Sequence, residues 1–185
     1  MFVDDEVDHR SVMSSQQEPL VSAPEPFDAF YSREVRRLVG LAYALSGSRL
    51  VADDLAQEAM LAAYKNWGDV GRLENPAAWV RRVVSNQAVS AVRRRVSEAK
   101  GLSRLAMRQP MADLPEIPAE SEWIWHEVRR LPKRQVQVIA LRYYDQLSMS
   151  EIADVLDCSK ETVNTHLRRA RQTLDRRLQG RGVRT

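Results

Sequence analysis

The chain is short of cysteine, histidine and glycine, and each shortage removes a class of protein. One cysteine, Cys158, in 185 residues leaves no internal disulfide and no multi-cysteine zinc site, a usage that fits a reducing cytosol. The three histidines form no H-x-x-x-H or similar pairing, so neither a metal nor any other cofactor is expected. His9, His126 and His166 stand apart and read as surface or packing residues. Without a Ser–His–Asp set, a phosphate loop or a metal cluster, an enzyme is not expected. Seven glycines are few for an all-β chain of this length. No apolar run is long enough to span a bilayer, and the acidic N-terminus is unlike a signal peptide. The expectation is a cytoplasmic protein with no membrane insertion.

What is present is charge, unevenly placed. Charged residues make up 29% of the chain and hydrophobic ones 44%, a soluble, helix-rich balance. The net charge of +3 divides into −5 over residues 1–26, +4 over 27–100, −1 over 101–120 and +5 over 121–185. Two basic blocks with a near-neutral spacer between them suggest two units that face nucleic acid.

The stretch from Leu147 to Arg171 organises the rest. Ser148 and Glu151 have the spacing of a capping box, with Leu147 and Ile152 placed as a hydrophobic staple. Ser159 is placed to cap a second helix, with Cys158 and Val163 at the same staple spacing. Only Asp157 and Cys158 lie between the two helices, so they must cross steeply, as in a helix-turn-helix. On the second helix Val163, Leu167, Ala170 and Leu174 form one apolar stripe. Lys160, Thr162, Asn164, Thr165, Arg168, Arg169 and Arg171 cover the remaining surface and suit phosphates and base edges. That layout is expected of a helix entering the major groove.

Taken in order, residues 1–26 are acidic, carry three prolines and read as a disordered extension. A first helix is predicted from Phe27 to Leu45, ended by Ser46-Gly47-Ser48, with Ser48 as the next cap. The second helix, to about Asn66, sets Asp53, Asp54, Gln57 and Glu58 on an acidic face opposite Ala52, Leu55, Ala59, Ala62 and Ala63. Trp67 to Glu74 is expected as a loop. Asn75-Pro76 then starts a third helix, to about Lys100, with Trp79, Val83 and Val84 inward. That helix is expected to expose Arg81, Arg82, Asn86 and Gln87, then Arg93, Arg94 and Arg95. An amide pair among arginines suits single-stranded or melted DNA. Residues 101–120 form a proline-bearing linker. A helix from Ser121 carries Trp123, Ile124, Val128 and Leu131, and Pro132 opens another with Val136, Ile139 and Ala140 inward. The fold class is therefore all-α, as two small helical domains joined by a flexible linker.

The order of these parts resembles a known family. An acidic D-D-L-A-Q-E stretch at 53–58, a helix with Trp79 and Asn86 that ends in arginines, a proline-bearing spacer and a C-terminal helix-turn-helix are similar to the extracytoplasmic-function (group IV) sigma factors of bacterial RNA polymerase. The likeness covers roughly residues 27–178. It implies a region 2 domain over 27–100, a winged-helix-like region 4 domain over 121–178 and a basic tail over 179–185. It implies that Asp53, Asp54, Leu55, Gln57 and Glu58 dock on core RNA polymerase, at a basic coiled coil of the largest subunit. It implies that Arg82, Asn86, Gln87 and Arg93 to Arg95 open and read the −10 promoter element, with Asn86 beside a flipped-out base. At the −35 element, Ser159, Lys160, Thr162, Asn164, Thr165, Arg168, Arg169 and Arg171 are the implied contacts. An anti-sigma factor is a further implied partner beside promoter DNA. Three positions depart from the family pattern: Met60 replaces an aromatic residue, Ser90 an Asp four residues after the asparagine, and Asp157 a turn Gly. The rival reading is a response-regulator-type helix-turn-helix regulator, suggested by T-V-N-T-H-L at 162–167. Residues 27–100 lack the strand–helix alternation that a receiver domain would need.

Overall fold

The front half is built on α1, Phe27–Ser46, whose Phe30, Leu38, Leu41, Ala42 and Leu45 are buried at helical spacing. The computed structural model describes residues 25–98 and 119–179. The acidic extension up to residue 24, the linker from 99 to 118 and the tail from 180 lie outside the described residues. Gly47 ends α1 in the left-handed region, φ 68°, and donates its N–H to Tyr43 O at 2.8 Å, a geometry that favours glycine. Ser48 precedes α2, Arg49–Lys65, but its side chain makes no cap hydrogen bond, contrary to expectation.

Ala52, Ala56, Ala59 and Ala63 of α2 are fully buried. With so little side chain between them, the α1 and α2 backbones approach closely. Where a loop was expected, Trp67–Val70 forms a short helix, α3. Trp67 anchors it, because its indole N–H donates to Glu25 O at 3.0 Å and its ring meets Phe30 and Phe27 with centroids 4.8 and 5.2 Å apart. The start of α4, Pro76–Glu98, is as expected: Asn75 Oδ1 accepts from Ala78 N at 2.9 Å. Val80, Val84 and Ala88 of α4 complete the three-helix core with α1 and α2.

The rear half begins with α5, Ala119–Arg129, and α6, Lys133–Ile139, which Pro132 precedes. A π-helical turn, Ala140–Tyr144, continues α6. It buries Leu141 completely while leaving Tyr143 half exposed. Gln146 follows at φ 58° and reverses the chain into α7, Met149–Leu156, and then α8, Lys160–Gln179. Both halves are helical throughout. No strand occurs among the described residues, so the helix-turn-helix has no wing there.

The two halves pack on one another. α4 lies against α6 and α7, and α1 lies against the π-helical turn. A buried ion triad crosses this contact. Arg81 of α4 stands 3.0 Å from Glu34 of α1, an ion pair without hydrogen-bond alignment, and its Nε donates to Asp145 Oδ2 at 2.6 Å. Arg81 was expected at the surface; it is 6% exposed. Position 81 lies on the inward stripe of Ala78, Ser85 and Ala88, so only its charge argued for solvent. Burial pulls the Arg81 pKa down, but Asp145 and Glu34 more than offset it, so it stands above the ordinary arginine value.

Candidate nucleic-acid interface

Three surfaces carry the predicted functional residues. The first is the acidic side of α2. Asp54, Gln57 and Glu58 are exposed, and Asp53 is half-buried. Asp53 Oδ1 is buried and has no hydrogen-bond partner among the described residues. Burial, with Asp54 beside it, raises the Asp53 pKa above the usual carboxylate range. Leu55, which the family likeness placed with this group, is 8% exposed and belongs to the core. One residue along a helix is a 100° turn, and that carries Leu55 onto the alanine side.

Sequence reasoning missed the apolar flank of this ridge. Leu61 and Tyr64 are 52% and 61% exposed and follow Gln57 at i+4 and i+7. With Tyr31, Phe27 and Met60 they line an open groove of about 410 Å³ beside the carboxylates. The signal was available in that spacing, because a second helical stripe of large apolar side chains runs along the acidic one.

The second surface is on α4. Arg82, Asn86 and Gln87 do come together there: Asn86 is exposed and the other two are half-buried, and Arg82 and Asn86 also make hydrogen bonds to the rear half. Arg82 donates to two main-chain carbonyls at the C-terminal end of α7, Asp154 O at 2.6 Å and Val155 O at 3.0 Å. Its guanidinium is also 3.8 Å from the Asp157 carboxylate. Gln137 Nε2 donates to Ser85 O at 3.0 Å and to Asn86 Oδ1 at 3.1 Å. Gln87 is half-buried, and its Oε1 has no partner among the described residues. Ser90, in the place of the family's carboxylate, donates its hydroxyl to Asn86 O at 2.9 Å. Arg93, Arg94 and Arg95 lie on the last turns of α4, and their side chains are outside the described residues.

The third surface is the α7–α8 pair, where local sequence chemistry sets the geometry. Glu151 N donates to Ser148 Oγ at 3.3 Å, and Ser148 N donates back to Glu151 Oε2 at 2.7 Å, which completes the capping box. These bonds hold the Glu151 carboxyl below its usual range. Asp157 takes the left-handed turn position at φ 54°, where the family likeness has glycine. The second cap is Ser159, whose Oγ accepts from Thr162 N at 3.2 Å and lies 3.1 Å from Thr162 Oγ1. Its oxygen thereby caps the start of α8, while the residue itself is exposed.

Val163, Leu167 and Ala170 bury the inner stripe of α8. Opposite them, Lys160, Thr162, Asn164, Arg168 and Arg169 are exposed, with Thr165 half-buried beside them. Arg171 is exposed but tethered, for its Nε donates to Tyr143 Oη at 2.8 Å and its guanidinium lies 5.7 Å from that ring's centroid. Burial raises the Cys158 thiol pKa and lowers that of His166, so both are uncharged near pH 7. Among the described residues no group of acidic, histidine or cysteine side chains could hold a metal ion, and no helix is long and apolar enough to cross a membrane.

Residues 30–98 match the family described as Sigma-70 region 2, and residues 121–174 match Sigma-70, region 4. The ECF RNA polymerase sigma factor SigW of Bacillus subtilis is 31% identical over 155 residues, covering 77% of this chain and 83% of SigW. The chain belongs to the extracytoplasmic-function sigma factors of the sigma-70 family. It is a non-catalytic subunit that directs promoter-specific transcription initiation by RNA polymerase. The RNA polymerase sigma-E factor of Streptomyces coelicolor is 31% identical over 143 residues, 75% of this sigma factor and 80% of that one. SigG of Mycobacterium tuberculosis is 27% identical over 188 residues, and this sigma factor spans about half (51%) of its length. In fold, this sigma factor resembles the sigma factor RpoE solved with the anti-sigma factor NepR from Bartonella quintana. The TM-score is 0.63 at 21% identity, over 83% of this chain and 96% of that one. It likewise resembles CnrH solved with the cytosolic domain of CnrY, at a TM-score of 0.59.

Proposed function

We propose a division of labour within this sigma factor. The acidic ridge of α2, formed by Asp53, Asp54, Gln57 and Glu58, grips a basic coiled coil on the largest polymerase subunit. Region 2, over residues 27–100, opens and reads the −10 element through Arg82, Asn86, Gln87 and Arg93 to Arg95. Region 4, over residues 121–178, reads the −35 element through Lys160, Thr162, Asn164, Thr165, Arg168 and Arg169. The linker lets both elements be engaged at once, so each weak contact gains from the other through effective concentration.

The observation that carries the docking assignment is the unpartnered Asp53 carboxylate oxygen within an otherwise exposed acidic row. Keeping a charged oxygen without a partner costs free energy, and an incoming cation returns it. The apolar groove of Leu61 and Tyr64 alongside would add buried area to that contact. The two relatives solved with anti-sigma factors support an anti-sigma partner for this chain as well, acting in the cytoplasm.

Charge reversal tests the docking. With Asp53, Asp54 and Glu58 all changed to Lys, helix content should be kept and co-purification with core polymerase lost. Undiminished association would refute the assignment.

A further inference from the structure

Two cations of α8 are held by other groups of the chain. Arg177 stands 3.7 Å from the buried Glu127 carboxylate, and Arg171 is tethered to Tyr143. One edge of the helix is different. His166 and Arg169 stand three residues apart, so they share that edge, about 60° apart around the axis. Arg134 of α6 comes to the same edge from outside the helix. Its Nη1 donates to Leu156 O, at the end of α7, and to Gln137 Oε1, each at 3.4 Å. Those bonds are long, and Nε and Nη2 have no partner among the described residues. Arg134 and Arg169 are exposed, His166 is half-buried, and both guanidinium charges bear on the imidazole.

No carboxylate among the described residues answers this group. Glu127 of α5 is engaged by Arg130 and Arg177, and Glu151 of α7 by its capping box. Asp157 in the turn faces Arg82, and the Cys158 thiol beside it is neutral. We propose that Arg134, His166 and Arg169 form a three-point seat for one DNA-backbone phosphate beside the −35 element, and that His166 enters the complex as the imidazolium. The inference rests on the assignment of α8 to the −35 element. Asn164 and Arg168, each about 160° from His166 around α8, are left to the base edges.

The seat couples binding to a proton. In the free chain burial, then Arg134 and Arg169, hold His166 below the ordinary imidazole range, so it is neutral near pH 7. A phosphate between the two guanidiniums offsets their repulsion and favours the proton, which raises that value on binding. Between the two values binding takes up a proton, and affinity rises as pH falls through the interval.

The test uses core polymerase with the full chain and a labelled promoter duplex. From about pH 8 to about pH 6, affinity should rise roughly 3–10-fold more for the parent than for His166→Gln, against a limit of about tenfold per pH unit for one proton. His126→Gln, at an exposed site on α5, should behave as the parent. Arg134→Gln keeps a donor for Leu156 O. It should lower the slope of log affinity against log salt by about one, equally on matched and scrambled −35 sequences, and Arg134→Lys should restore it. Should Arg134→Gln lose its helicity, Arg169→Gln on the exposed edge of α8 carries the same slope test. An equal rise in the parent and His166→Gln, or an unchanged salt slope, would overturn the seat. Failure of the underlying assignment reads differently, because scrambling the −35 sequence would then leave the parent's affinity unchanged.

Discussion

Arg81→Ala is the substitution whose cost follows most directly from the structure. The side chains of Arg81, Glu34 and Asp145 are 8%, 8% and 4% exposed, so removing the guanidinium leaves two carboxylates buried and close, Asp145 without its cation and Glu34 with only the exposed Arg33 at 3.0 Å. Breaking a buried ion pair from one side costs about 3–5 kcal/mol, against a total stability of roughly 5–15 kcal/mol. With a urea slope of about 1–3 kcal/mol/M, the unfolding midpoint should fall by at least about 1 M. Helicity followed through a urea titration gives that midpoint. The control replaces all three charges together, Glu34→Met, Arg81→Met and Asp145→Leu. It should recover most of the loss, because exchanging a whole buried ion cluster for apolar side chains is often neutral or stabilising. Asp145→Asn alone should cost less than Arg81→Ala, since Glu34 still neutralises the arginine. A loss below about 1 kcal/mol for Arg81→Ala is the behaviour of a solvent-screened pair and would refute the reasoning, as would a triple variant no more stable than the single one.

Asp53→Asn should separate function from stability. An acid whose pKa is raised on folding contributes stability below its ordinary pKa and loses it as pH rises through the raised value, so the ionised form is a cost at neutral pH. The amide should therefore raise the thermal midpoint at pH 7 while weakening polymerase binding; a variant that loses stability contradicts the assignment. Arg168→Ala should cost about 1–3 kcal/mol on promoters that share one −35 base, and a loss equal on all sequences would reduce Arg168 to a phosphate contact. Ser148→Ala removes one side of the α7 capping box and should cost about 1 kcal/mol in unfolding, whereas no change would show that Glu151 alone holds the helix start.

What could be read from sequence was local. Ser148, Glu151 and Ser159 announce their helices within three residues, and the stripe of Val163, Leu167 and Ala170 is visible in its own period. The two-unit plan followed from the charge blocks and the order of motifs. What escaped was set by distant partners. Arg82 meets α7 more than seventy residues later, and Arg81 meets Asp145 across 64. Nothing in the period of α4 says that its cations are answered from the other half of the chain. The family likeness grouped Leu55 with the ridge because a contiguous motif was taken as a contiguous surface, whereas at 100° per residue the helix turns Leu55 and Ala56 to the core and leaves Asp54, Gln57 and Glu58 outside. The short helix Trp67–Val70 depends on the Trp67 contact with Glu25, which a loop-like run of glycine and aspartate conceals.

The central claim is that an acidic ridge holds polymerase while two basic units choose where it starts. Run-off transcription by purified core polymerase on a promoter library, with and without the chain, tests it most directly. New start sites sharing one −35 and one −10 motif should appear only with the chain and disappear when Asp53, Asp54 and Glu58 become lysine. Transcripts identical with and without the chain would contradict it.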